Sequence, residues 1–87
     1  MHIVYILHSA KLKKRYIGQT KDLAQRLKSH LTGSTVFTSK ANDWKLIYHE
    51  CFTSKKDALT EEKFLKTGKG RERLKFLLEN TMISLNE

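Results

Sequence analysis

Two phenols stand in short segments of high strand propensity. Val4-Tyr5-Ile6 comes first, and Tyr16-Ile17-Gly18 begins ten residues on from Ile6. A phenol can fill a core, but two phenols on paired strands can also converge on one site. Arg26 and His30 belong with them for a different reason. On a helix turning about 100° per residue, Leu23, Leu27 and Leu31 share one side with Ala24 at its border, and Lys21, Gln25, Lys28 and Ser29 lie opposite. Arg26 and His30, one turn apart, flank the leucine stripe where the helix meets the sheet. An arginine there calls for an anionic partner, which a bound anion or a structural ion pair would equally provide. His30 reads first as a satisfied boundary imidazole.

A carboxylate completes the set. In a later helix Ala58, Leu59 and Leu65 define an apolar side, and Glu62 falls within its arc. A carboxylate there needs a cation, a metal ion or a hydrogen-bond donor. Counting Phe64 as buried rotates the stripe and makes Glu61 equally suitable, so the periodicity leaves the two open. The plainer alternative pairs Glu62 with Lys66 at i+4. Gly18 is either a turn residue between strand and helix or a point where backbone can approach a phosphate closely. Lys63, Lys66, Lys69, Arg71, Arg73 and Lys75 surround Gly68 and Gly70. Such a stretch is either a solvated face or a track for a phosphate backbone. Trp44 and Tyr48 are expected on one strand face, as core residues, and Asn42-Asp43 reads as a turn. His2, His8 and His49 have no metal-ligand spacing.

The elements that must position these groups are few. Residues 3–7 form a continuous apolar run, which predicts a strand covered on both faces and therefore central in its sheet. Residues 15–18 give a second strand after a polar hairpin loop, and residues 44–51 a third. Helices are expected over 21–31, 55–66 and from about 70 to 80. Thr20 is the expected N-cap of the first, with Asp22 in its first turn and Gly33 at its end. Ser54 with Asp57 resembles a capping box for the second, and Gly68 is its expected left-handed C-cap. Leu74, Leu77 and Leu78 form the stripe of the third, and 81–87 is expected to fray. The order β-β-α-β-α-α with the first strand central predicts an α+β fold, a small three-stranded antiparallel sheet flanked by helices.

Composition bounds the function. The 87 residues are read as a single domain, 1–87, with a small core. Lysine and arginine number 17 against 9 acidic residues, a net charge of +8 that favours polyanions, chiefly nucleic acid. The one cysteine, Cys51, excludes an internal disulfide and a cysteine-based zinc cluster, and it is expected to be buried. No apolar stretch approaches the roughly 20 residues of a membrane span. A reducing, cytoplasmic location is the expectation.

Val4-Tyr5-Ile6, Tyr16-Ile17-Gly18, Arg26, His30 and Glu62, in that order, resemble the GIY-YIG nuclease superfamily over residues 3 to about 78. The nearest likeness is to its small stand-alone bacterial members, related to the N-terminal incision domain of the excision-repair nuclease. Val-Tyr-Ile stands where the family has Gly-Ile-Tyr, and Glu62-Lys-Phe-Leu-Lys-Thr-Gly-Lys-Gly-Arg71 looks typical of those members. The resemblance implies a metal-dependent DNA endonuclease, in repair or recombination, using one divalent ion, magnesium with manganese as the alternative. It implies Glu62 rather than Glu61 as metal ligand, and Tyr5, Tyr16, Arg26 and His30 as catalytic residues. Gly18, Gln19, Lys63, Lys66, Lys69 and Arg71 are the implied DNA contacts, with a protein partner or a second copy as a further targeting element. A binding or interaction module with the same fold is the alternative. Two positions depart from the family: Gln19 stands where some members have lysine, and Leu74 where many have asparagine.

Overall fold

The computed structural model describes residues 1–31 and 40–85, without the side chain of Leu31. Its elements are β1 (His2–Ser9), β2 (Lys14–Thr20), α1 (Leu23–Leu31), β3 (Lys45–Phe52), α2 (Lys55–Leu65), α3 (Gly68–Leu77) and α4 (Glu79–Leu85). The expected α+β architecture is observed, with one more helix than expected. The sheet is antiparallel in the order β2-β1-β3, so the continuous apolar run does form the central strand.

Strand alternation sends β1 to two separate cores. Val4 and Ile6 join Ala58, Leu65, Leu74 and Leu78 on the face covered by α2 and α3. Tyr5 and Leu7 join Trp44 on the other face, where Leu23 and Leu27 of α1 pack against them. Gly70 sets the spacing of α2 and α3. A Cβ there would run into the backbone of Phe64 and come 2.6 Å from Leu65 Cα, so only glycine lets α3 approach so closely.

Several expectations are corrected. Asp22, not Thr20, caps α1: its Oδ1 accepts from Gln25 N at 3.1 Å, while Thr20 Oγ1 accepts from Asp22 N. Thr20 is still within β2, where the sheet ladder holds it. Ser54 caps α2 as expected, accepting from Asp57 N. Gly68 is not a left-handed C-cap. The α2 cap is Lys66 in right-handed helical geometry, and Thr67 caps α3 by accepting from Gly70 N, so Gly68 begins the next helix. The helix expected over 70–80 is two helices, broken at Leu78. That residue leaves helical geometry (φ −109°, ψ 15°) while staying in the core. Residues 81–85 are helical rather than frayed.

Leu59 and Leu77 are exposed, because each helix needs only a narrow stripe to cover so small a sheet. Cys51 is exposed as well. It lies on edge strand β3, on the side opposite Phe52, which packs against the α2 core. Trp44 and Tyr48 do not share a face. The pairing runs Ile6 with Tyr48 but Leu7 with Leu46, so Ile47 is an extra residue and the phase reverses there. Tyr48 therefore packs on the α2 side and Trp44 on the α1 side. Gly33 lies outside the described residues.

Candidate active site

The register of β1 and β2 builds the phenol pair. Tyr5 is opposite Gly18, and Leu7 is opposite Tyr16. Gly18 is not a turn residue but an interior strand position whose missing side chain gives room to a ring. A Cβ there would lie 2.6 Å from Tyr5 Oη and 3.0 Å from Tyr16 Cε1. The Tyr5 ring therefore lies over Gly18, with the Tyr16 ring centroid 6.1 Å from it.

Helix α1 closes over this pair. Leu23 and Leu27 fix its apolar side, and that rotation aims Arg26 and His30 at the phenols. His30 is 1% exposed, with Nε2 2.8 Å from Tyr5 Oη and its ring edge-on to Tyr16 at 4.7 Å. Arg26 Nε donates to Tyr5 Oη at 3.4 Å, a long bond. With Arg26 donating, Tyr5 can donate its own proton to an unprotonated Nε2. Burial pushes the Tyr5 phenol up to about 12, against the opposing pull of the Arg26 hydrogen bond. Burial, then the nearby Arg26 cation, holds His30 below the ordinary imidazole value. The hydrogen bond to Tyr5 holds Arg26 above its already high value. At neutral pH the cluster is thus a protonated buried phenol, a neutral imidazole and a fixed cation.

Four sequence-predicted residues, Tyr5, Tyr16, Arg26 and His30, are therefore brought together. Glu62 is not packed with them. It is carried by α2 on the opposite face of the sheet, and its carboxylate is ion-paired with Lys66 at 2.9 Å. Lys66, its partner, also lines a cleft that reaches Tyr16. This cleft, of about 400 Å³, is lined by Arg15, Tyr16, Ile17, Leu65, Lys66, Arg71 and Leu74. Tyr16 is only half buried, so it belongs both to the phenol cluster and to this open cleft. Lys63 and Lys69 are exposed, and Gln19 is within hydrogen-bonding distance of His2 Nδ1 at 3.3 Å. Leu74 is fully buried, so the position at which the family resemblance leads one to expect asparagine is core in this chain.

Glu61 and Glu62 have different partners. Arg73 Nη1 donates to Glu61 at 2.9 Å, and Glu50 lies 3.9 Å from the same guanidinium. Burial, then the hydrogen-bonded Glu61 beside it, raises the Glu50 carboxyl. Burial also opposes ionisation of Glu61, but its bonds to Glu50 and Arg73 outweigh this and hold it low. This group was not anticipated, because Glu50 and Arg73 lie in different elements and carry no local signal. Among the described residues no group of three or more His, Cys, Asp or Glu side chains could hold a metal ion. One carboxylate is nevertheless enough for a magnesium ion that keeps water and takes phosphate oxygens, so the Glu62 side chain, 19% exposed beside an exchangeable lysine, suits one.

A three-stranded sheet with two phenols, an imidazole and a guanidinium gathered under its first helix describes a small α+β protein. The comparisons place it. Residues 1–75 match the GIY-YIG catalytic domain, and the chain belongs to that family, which is generally one of nucleases. It is similar to a UPF0213 protein of Bacillus pumilus, 37% identical over 67 residues covering 76% of this chain and 67% of that one. A UPF0213 protein of Limosilactobacillus reuteri is 34% identical over 82 residues, 91% and 84% of the two chains. The solution NMR structure of a UPF0213 protein from Bacillus halodurans superposes with a TM-score of 0.55 at 30% identity, covering 87% and 83%.

Proposed function

We propose that this protein is a metal-dependent endonuclease that hydrolyses DNA phosphodiesters, acting in repair or recombination within the cytoplasm. The observation that carries this reading is the cluster of Tyr5, Tyr16, Arg26 and His30, in which a cation and a neutral base are held against two phenols. Arg26, exposed at the margin of the cluster, offsets the charge that grows on a phosphate under attack. Tyr16 is the phenol that a strand in the cleft can touch, so it accepts the proton of the attacking water. Buried Tyr5 instead fixes the His30 ring. Glu62 would hold a magnesium ion, or manganese in its place, which supplies Lewis-acid charge neutralisation at the phosphate when bound.

Incubation with supercoiled plasmid and Mg²⁺ or Mn²⁺ tests the reading. Nicking by the wild type, lost in Tyr16→Phe and Glu62→Ala and lost on chelation, supports it. DNA binding without nicking under either metal overturns it in favour of a binding or interaction module. That second reading draws on the Glu62–Lys66 ion pair and on Leu74.

A further inference from the structure

Arg15 was not singled out by the sequence, yet it borders two clefts. One is the Tyr16 cleft. The other, of about 440 Å³, is lined by Lys13, Lys14 and Met82 among others. Both open along β2, which is an edge strand, and among the described residues no neighbouring strand covers its outer side. We propose that this edge is a phosphate track: Lys13, Lys14 and Arg15, with Arg71, hold the backbone of a DNA strand and lead it to Tyr16. The inference rests on the nuclease reading for its destination, but not for the binding itself.

Three features favour a built track over a merely solvated basic face. First, the cations are uncommitted: among the described residues none of the four is in an ion pair, and neither cleft is lined by an acidic residue. Lys66, by contrast, is balanced by Glu62. Second, the turn that carries Lys13 and leads into Lys14 at the start of β2 is pinned. Ser9 Oγ donates to Asp43 at 2.6 Å, Lys11 N donates to the other oxygen of Asp43 at 2.9 Å, and Leu12 N donates to Ser9 Oγ at 3.1 Å. Lys13 takes a left-handed conformation (φ 52°) to close the turn. Lys13 on this pinned turn, with Lys14 and Arg15 held by the ladder to β1, loses less backbone freedom on binding than cations on a loose segment would. Third, the spacing is suitable. Residues 14 to 17 of the extended strand cover about 10 Å, close to the axial rise of the three intervals between four phosphates on one strand of a duplex at ~3.4 Å each.

The test measures binding without metal, so that nothing is cut. A fluorescein-labelled duplex of arbitrary sequence is titrated by anisotropy in chelator over a series of salt concentrations. The triple variant Lys13→Asn, Lys14→Ala, Arg15→Ala removes three of the track's four cations, with asparagine chosen because it tolerates the left-handed conformation. Its log–log salt slope is expected to be shallower than wild type by about 2.7, at ~0.9 per lost phosphate contact. A control triple, Lys45→Ala, Lys55→Ala, Lys56→Ala, removes the same charge from the β3 edge and the start of α2, and is expected to change the slope by less than about one. Arg15→Lys alone should keep the wild-type slope, and Arg15→Glu should weaken binding at every salt concentration. Equal slope changes in the two triples, or an unchanged slope in the first, overturn the track. A protein that binds through the track but never nicks plasmid keeps this inference and loses the nuclease. One that nicks but binds alike in both triples does the reverse.

Discussion

On one face of β1, Val4 and Ile6 meet carbon: Ala58, Leu65, Leu74 and Leu78 from the helices, with Ile17 beside them on β2. On the other, Tyr5 and Leu7 meet Trp44 and α1, and a phenol, an imidazole and a guanidinium are threaded between the apolar groups. Both faces are inaccessible to water at β1, where residues 4 to 7 are at most 1% exposed. They differ in what burial does. On the α2 face it contributes roughly 25 cal/mol per Å² of apolar surface and asks for nothing else. On the α1 face it desolvates polar groups, which must then bond one another. Tyr5 and His30 meet that demand together, at the cost of a phenol that resists ionisation. One face is therefore suited to hold the fold and the other to hold chemistry, and substitutions should separate the two.

The largest expected effect belongs to the α2 face. Gly70→Ala places a methyl group against the backbone of Phe64 and Leu65, which cannot rotate away as a side chain could. A loss of about 3 kcal/mol is expected, lowering the melting temperature by roughly 12–24 °C in a domain of this size. Leu65→Ala should cost about 2–5 kcal/mol by leaving a cavity. Thermal melts check both. If either variant melts like wild type, the α2 face is not the main source of stability and the contrast fails.

Gly18→Ala tests the other face. Its new methyl meets the end of the Tyr5 side chain rather than backbone. The ring can shift, so a smaller cost of about 1–3 kcal/mol is expected, together with a displaced Tyr5 hydroxyl and loss of plasmid nicking. Tyr5→Phe should cost about 1–2 kcal/mol, because it leaves the buried His30 nitrogen without that partner. Melting and nicking assays on the same samples decide whether activity falls further than stability does.

How much of this contrast was visible in the sequence depended on range. The central strand, the cap at Ser54 and the placement of Arg26 and His30 beside the leucine stripe follow from neighbours within a turn or a strand. What escaped depends on distant partners. The extra residue at Ile47 shows only against the β1 register, and it separated Trp44 from Tyr48. Asp43 looked like a turn residue, but its carboxylate reaches Ser9, 34 positions away. Gly68 looked like a helix stop because glycine often is one, whereas Gly70 was the constrained glycine and its constraint lies on another helix. The carboxylate choice on α2 was undecidable from periodicity because Glu61 and Glu62 both lie between Ala58 and Leu65. Only the positions of Arg73 and Lys66 tell them apart.

A pH series sharpens the contrast further. Burial and Arg26 hold His30 below its ordinary value, so the folded state binds fewer protons than the unfolded one just under the unfolded value of about 6.5. Stability is complete above that value and declines as pH falls through the window beneath it. His30→Gln removes this site and should flatten the decline. His2 and His8, also held low by burial first, keep titrating, so the acid slope should shrink without vanishing. An unchanged slope in melts from neutral to mildly acidic pH would mean that His30 is not held neutral by the fold.

The smallest expected effect on stability carries the largest consequence for function. The Glu62–Lys66 pair is local to one helix and its lysine is 54% exposed, so Glu62→Ala should cost no more than about 0.5 kcal/mol. Glu61→Ala should cost somewhat more, since it strips Arg73 of its closest carboxylate, but it also relieves the like charge beside Glu50. If Glu62 holds the metal, its loss abolishes metal-dependent nicking while DNA binding stays near wild type or rises slightly, because a negative charge has left the site. Glu61→Ala should still cut. The reverse outcome would assign the ligand to the cluster of Glu50, Glu61 and Arg73. Two active variants would remove the metal from this helix altogether. In that last case the division between the faces would be complete, because the α2 face would contribute packing alone, whereas a metal on Glu62 or Glu61 means that the α2 face supplies one chemical group as well.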